Sequence, residues 1–176
     1  ILFGGKSGEH EVSLVSAGSA YSYIDRKCFG PVLIGIAREG RWYLQTDPKL
    51  SKDKTALVMN TKPEQVVSVL PGQGLWAAEG HIDLSAVFPV LHGTFGEDGT
   101  VQGLLEVAGI PYVGAGVLAS SLGMDKAMVK RVWIEADLPT IPFEEVKQHE
   151  LDSQDSINAL LTRIMNKFEF PLFVKP

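Results

Sequence analysis

The sequence predicts an α/β protein organised around a parallel, layered sheet. Apolar runs that read as buried strands alternate with segments of helical spacing, and glycine-rich turns join them. The clearest case is the run Ala86–Leu91, followed by His92-Gly93-Thr94-Phe95-Gly96-Glu97-Asp98-Gly99 and then by a helical pattern over Val101–Ala108. A composition of 45% hydrophobic and 21% charged residues over 176 positions is enough to bury a real core.

The first unit is the strand Ile1–Phe3, a turn over Gly4–Gly8 and a helix over about Glu11 to Ile24. Its core face is expected at Val12, Val15, Ser16, Ser19 and Tyr23, a small-residue surface that lets a helix approach a sheet closely. The second strand is Val32–Ala37, and Glu39-Gly40 turns it into a hairpin with Arg41–Leu44. Residues 46–82 are polar and proline-bearing, so an irregular excursion is expected there, with short strands at Ala56–Met59 and Val66–Leu70. Ala86–Leu91 is the third parallel strand, and its helix places Val101, Leu104, Leu105 and Ala108 on one face.

Ile110–Val113 reads as a fourth strand, followed by Gly114-Ala115-Gly116 and a helix through Leu122. Asp125 is a good N-cap for a helix reaching about Ala136, which the prolines at 139 and 142 end. A strand near Phe143–Val146, a helix over Gln154–Asn166 and a last strand at Leu172–Val174 complete the pattern. The expected domains are 1–117 and 118–176. Ile1–Phe3 looks like the tail of a strand and Pro171–Pro176 like one that stops short, so the chain is expected to belong to a longer protein.

Charge and composition narrow the function. A net charge of −5 with no basic run argues against a nucleic-acid surface. No apolar stretch reaches membrane-spanning length. The single cysteine, Cys28, excludes an internal disulfide and a cysteine-only metal cluster, and it reads as an inert packing residue. With no signal-peptide pattern, a cytoplasmic location is expected.

Two motif-like stretches fail for lack of context. Gly5-Lys6-Ser7 mimics the end of a phosphate-binding loop, but Ile1–Phe3 would occupy the loop itself, where a strand is expected. Gly114-Ala115-Gly116-Val117-Leu118-Ala119 fits a dinucleotide fingerprint, yet the acidic partner expected about 20 residues on falls in or at the end of a helix.

The turn at His92–Gly99 is different. It places a histidine, three glycines and two carboxylates at the end of a strand, the edge where open α/β sheets bind ligands. In the first turn, Glu9 stands beside glycines at a helix start, which suits either helix capping or an ammonium group. An amino-acid zwitterion would satisfy both the carboxylate and the helix N-terminus. Lys126 sits in the first turn of a helix, where a cation needs a compensating anion. Lys175 ends an apolar strand and, if covered, needs a partner such as an ATP phosphate. His10, His81 and His149 read as surface residues.

At these residues the chain resembles the D-alanine–D-alanine ligases of the ATP-grasp superfamily. The matching pieces are Leu2–Leu14, His92–Gly103, Gly109–Gly116, Met124-Asp125-Lys126 and Leu172–Pro176, in the family's order. The resemblance implies a Rossmann-like pre-ATP-grasp N-terminal domain, followed by the first part of an ATP-grasp central domain. It also implies that ATP phosphorylates the carboxylate of one D-alanine and that the amine of a second attacks the acylphosphate, a step in peptidoglycan precursor synthesis. Glu9 would hold the first substrate's ammonium, and His92 would line that subsite, oriented by Glu97. Lys126 and Lys175 would bind ATP phosphates. The family uses two Mg²⁺ ions, whose ligands are expected beyond residue 176 together with the determinants of the second substrate. It forms homodimers through its N-terminal domain, and the helix around Ser13–Ala20 is a plausible surface. These 176 residues alone are expected to be inactive. D-alanine–D-lactate and D-alanine–D-serine ligases are the nearest alternatives, and a non-catalytic binding or dimerisation module is the alternative of another class.

Overall fold

A computed structural model describes residues 1–175 and divides them into two compact units, Ile1–Val129 and one beginning at Lys130. The first unit is built on a seven-stranded sheet. Its strands are β1 (Leu2–Gly4), β2 (Ile34–Ile36), β3 (Trp42–Leu44), β6 (Val66–Leu70), β7 (Gly74–Ala77), β8 (Gly80–Ile82) and β9 (Pro89–Leu91), with β4 (Lys49–Leu50) and β5 (Leu57–Val58) forming a separate pair. The order is β8-β7-β6-β3-β2-β1-β9. The helices of this unit are α1 (His10–Tyr23), α2 (Thr100–Ala108), α3 (Val117–Met124) and the start of α4 (Lys126–Glu135).

The sheet is mixed, which corrects the expectation of a parallel one. Strand β1 runs parallel to both β2 and β9, but β3, β6, β7 and β8 follow as an antiparallel meander. The hairpin from β2 to β3 forms as the Glu39-Gly40 pair predicts, with Gly40 N–H bonded to the Ala37 carbonyl at 2.9 Å. The stretch 46–82 forms both expected short strands, as β5 and β6, but it is more regular than expected, because with β7 and β8 it supplies three of the sheet's strands. Ile110–Val113 makes one parallel bridge, Val87 to Tyr112, rather than a full strand.

Side-chain alternation on β1 sorts the core into two layers. Leu2 joins Ile34, Ile36, Val87, Val101 and Leu105 on one face, where α2 packs. Phe3 joins Ala17, Leu33 and Leu57 on the other, beneath α1. Each fully buried side chain of this size contributes roughly 1.5–3 kcal/mol by leaving water. On α2 the buried positions are Val101, Gln102, Leu105 and Ala108, with Leu104 turned outward.

Helix α1 buries the opposite face from the one its valines suggest. His10, Ser13, Ala17 and Gly18 face inward, while Val12, Val15 and Tyr23 are exposed. The reason is close approach: a Cβ on Gly18 would stand 2.7 Å from the Thr55 carbonyl oxygen. The fully buried Ser13 hydroxyl accepts from Gly4 N–H at 2.8 Å and donates to the Val90 carbonyl, tying α1 to β1 and β9. His10 is buried rather than on the surface, with Nδ1 2.7 Å from the Gly5 carbonyl oxygen. Cys28 is exposed, beside Asp25, and packs no core.

The second unit holds most of α4, a 3₁₀ turn at Gln148–Leu151 and α5 (Gln154–Lys167), which Ser153 caps through Ser156 N–H. Neither expected strand forms here. Segment 143–146 is held along α5 by side chains, with Lys167 Nζ donating to the Phe143 carbonyl at 3.1 Å. Leu172–Val174 is exposed and without ladder partners among the described residues, and the end of that expected strand, Pro176, lies outside them.

A network of surface ion pairs links α5 to the segments before it. Glu144 lies 2.9 Å from Arg163 and 2.6 Å from Lys167, and Glu150 lies 2.7 Å from Arg163. The Lys167 hydrogen bond holds the Glu144 carboxyl below its ordinary range, and the Lys147 N–H and then Arg163 do the same for Glu150. A carboxyl depressed in the folded state adds stability above its unfolded value and loses it as pH falls through the folded one. Acidification below about pH 4.3 is therefore expected to release α5 amides to hydrogen exchange before those of β1 and β9. Glu144→Gln should flatten that dependence, and equal acid sensitivity of the two units would contradict it.

Candidate functional site

The site follows from one register. Strands β1 and β9 lie side by side in parallel, with Gly4 opposite Leu91, so the turns leaving them emerge together. The first turn carries Ser7 and Glu9 into α1, and the second carries His92 and Gly93 into the glycine loop before α2. Gly4 and Gly5 turn the chain with φ of +89° and +102°, values open to glycine and costly for other residues.

Hydrogen bonds lace the two turns together. Ser7 is buried; its hydroxyl donates to the His92 carbonyl at 2.6 Å and accepts from Glu9 N–H at 3.1 Å. The Ser16 hydroxyl on α1 lies 3.0 Å from His92 Nε2. Glu9 is the N-cap residue of α1, yet among the described residues its side chain makes no capping bond. Its carboxylate lies over Gly93 instead: a Cβ there would stand 2.5 Å from Glu9 Oε2. The side chain therefore does not cap α1 among the described residues.

The loop has its own scaffold. Glu97 accepts from Gly93 N–H at 2.7 Å, so it pins the backbone, and it is Ser16 that reaches the His92 ring. Asp98 accepts from Phe95 N–H at 2.8 Å, from Thr100 N–H at 3.1 Å and from the Thr100 hydroxyl at 2.6 Å. Partial burial pushes the Asp98 carboxyl up, but the bonds from Thr100 and Phe95 outweigh it and leave it below its ordinary value. Gln102 donates to the Gly96 carbonyl at 3.0 Å from within α2. Phe95 takes φ of +61°, strained for a bulky residue, with the Lys6 ammonium 4.7 Å from its ring centre.

Lys126 and Lys175 make none of the hydrogen bonds that lace these turns together. Lys126 is exposed at the start of α4, in the first unit, where Asp125 Oδ1 caps the helix through the N–H groups of Ala127 and Met128. That carboxylate already supplies an anion at the helix start. Lys175 is exposed in the second unit, so the argument that a covered lysine needs a partner does not apply to it. Among the described residues no cluster of three or more His, Cys, Asp or Glu could hold a metal ion. No described helix is long and apolar enough to cross a membrane. A cleft of about 390 Å³ lies elsewhere, beside Gly72, His81, Ile82 and Gly109, and His81 is its only ionisable side chain.

Ser7 and Ser16 are the residues here that sequence reasoning left unassigned, while Asp98 was one of the two carboxylates that marked the loop. Ser7 lies inside a turn already marked by glycines, and Ser16 lies one helical turn beyond Ser13, which was the available signal.

A carboxylate and an imidazole at adjacent parallel strand ends, among glycines and a helix N-terminus, make this end of the sheet the candidate small-molecule site of the α/β kind. Comparison with known proteins gives the family. A sequence model for the D-ala D-ala ligase N-terminus matches residues 1–115, and the chain belongs to that family. It is 42% identical to the D-alanine–D-alanine ligase of Treponema denticola and 43% identical to that of Natranaerobius thermophilus, with all of this chain aligned in each case. It covers 50% and 48% of those proteins, so it spans about half the length of the curated relatives it matches. Among solved structures, VanG D-Ala:D-Ser ligase from Enterococcus faecalis superposes with a TM-score of 0.70 at 32% identity, over 97% of this chain and 49% of that one. The D-alanine–D-alanine ligase from Coxiella burnetii gives 0.72 at 29% identity, over 92% of this chain and 48% of that one.

Proposed function

We propose that the protein to which this chain belongs joins two D-alanines in an ATP-dependent ligation, and that this chain supplies the first D-alanine subsite and part of the ATP site. The observation that carries the reading is the uncapped Glu9 carboxylate lying over Gly93 beside His92. A carboxylate with no partner among the described residues is free to recognise the substrate ammonium, and this orients the substrate carboxylate for phosphorylation. The γ-phosphoryl group moves from ATP to a carboxylate oxygen, giving ADP and an acylphosphate. The amine of the second D-alanine then attacks the acyl carbon, phosphate leaves, and a peptide bond forms. This chain acts by positioning and charge neutralisation, with His92 lining the subsite and Glu97 holding the loop that carries it. Lys126 and Lys175 are assigned to ATP phosphates on the resemblance of their motifs. Mg²⁺, when bound, supplies further charge neutralisation at the phosphates.

Segment 118–176 is proposed as the opening of the ATP-grasp domain. The parallel trio β2-β1-β9 is the Rossmann-like element of the N-terminal domain, with the meander appended to it. The exposed Val12–Val15 face of α1 is the proposed homodimer surface, since the small-residue face is used within the chain. The dipeptide product serves peptidoglycan precursor synthesis in the cytoplasm.

The test is phosphate release by the full-length protein with ATP, Mg²⁺ and D-alanine, using L-alanine as control. Release that requires D-alanine and yields a dipeptide is expected; a folded, ATP-binding protein that ignores D-alanine would discard the substrate. The similarity to a D-Ala:D-Ser ligase favours one second reading, with D-serine as the second substrate. Product analysis with D-alanine and D-serine in competition separates the two.

A further inference from the structure

We infer that Ser7 is a positioning residue that sets the distance between the Glu9 carboxylate and His92, and so tunes capture of the first amino-acid substrate. The inference rests on the subsite reading above.

Ser7 is 7% exposed and lies between two turns whose chain positions are 85 residues apart. A serine hydroxyl has one proton to give and lone pairs to receive. Here the proton goes to the His92 carbonyl and a lone pair takes the Glu9 N–H, so one oxygen fixes the backbone of both residues assigned to the substrate. Gly93 completes the arrangement. A Cβ added there would meet Glu9 Oε2 at 2.5 Å, Ser7 Cβ at 3.3 Å and Ser7 Oγ at 3.4 Å, so the carboxylate and the hydroxyl share one small space. Ser16 acts on the same residue from the other side by holding the ring at Nε2. Loss of the Ser7 hydroxyl frees the Glu9 turn from the His92 strand end without touching the sheet pairing of Gly4 with Leu91.

The prediction concerns selectivity among substrates. In the full-length enzyme, Ser7→Ala should raise KM for D-alanine at the first subsite roughly tenfold, the scale of one lost hydrogen bond, while KM for ATP stays near wild type and the melting temperature falls by only a few degrees, because Glu9 N–H and the His92 carbonyl lose their partner. Ser7→Cys keeps the volume but offers only a weak donor, so it should behave like Ser7→Ala and replaces it if that variant fails to fold. Ser7→Thr keeps the hydroxyl and should restore most of the loss. Glu9→Gln, measured alongside, separates the two levels of the argument. If Glu9→Gln weakens D-alanine binding but Ser7→Ala and Ser7→Cys stay within about twofold of wild type, well below one hydrogen bond, the Ser7 inference fails alone. A proportional rise in KM for ATP would also overturn it, because that marks a general structural defect. If Glu9→Gln itself changes nothing, the subsite reading falls and the inference falls with it.

Discussion

Replacing Glu9 with Gln in the full-length protein is expected to lower kcat/KM for D-alanine by about 10- to 150-fold. A hydrogen bond to a charged group is worth roughly 1.5–3 kcal/mol, and each 1.4 kcal/mol is a factor of ten. Glutamine preserves the shape of the side chain over Gly93 and removes the charge proposed to meet the substrate ammonium. The α1 start should not suffer, because the Glu9 side chain makes no capping bond among the described residues. KM for ATP should hold, and the loss should fall mainly on KM for the first substrate. Steady-state kinetics with D-alanine and ATP varied in turn checks this. An unchanged kcat/KM would remove Glu9 from the site.

The second large effect concerns stability. Gly4→Ala should cost roughly 2–5 kcal/mol, a large share of the 5–15 kcal/mol that holds an ordinary domain together. Two mechanisms add. At φ +89° an L side chain is strained by about 1–2 kcal/mol. The new methyl group would also press directly on the Ile36 carbonyl oxygen, with Met59 Cε at 2.7 Å and His10 Cε1 at 3.1 Å. Overpacking of this kind costs about 1–3 kcal/mol. The Ile36 carbonyl accepts from Gly5 N–H at 2.8 Å, so it cannot retreat without breaking the turn. Urea unfolding should show a lower midpoint with little change in slope. Gly30→Ala is the control: it is exposed with open space around it, and its effect should stay within about 0.5 kcal/mol.

The parts of this protein that were legible in its sequence are those where one segment carries its own signal. β1 with α1, and β9 with α2, are apolar runs ended by glycine and followed by helical spacing, and both formed where expected. The placing of Glu9 and His92 at strand ends followed from the same runs. The strands β7 and β8 were missed because short, partly polar stretches become strands only when a neighbour offers its backbone, and that neighbour is decided by the fold. Phe143–Val146 and Leu172–Val174 are the reverse: strand-like side chains with no ladder partner among the described residues. The inverted face of α1 has a steric origin. Gly18 allows a close contact with the Thr55–Ala56 turn, and Ser13 one with β1 and β9, that valine would block, so hydrophobicity was the wrong guide. His10 and Ser7 were hidden because a single buried polar residue leaves no periodic trace, and half-buried Ser16 because its role depends on His92 folding up beside it.

The pairing of β1 with β9 also governs when the site can exist during synthesis. Everything from α1 through the β8 strand is made between the two halves of the subsite, and the Ser7–His92 contact closes a loop of 85 residues. Such long-range contacts form slowly, since closure entropy must be met before they return any stabilisation. A nascent chain can therefore build the β2–β3 hairpin early, but the proposed subsite stays unformed until β9 has docked on β1. Substrate held there would then report that these two strands have paired.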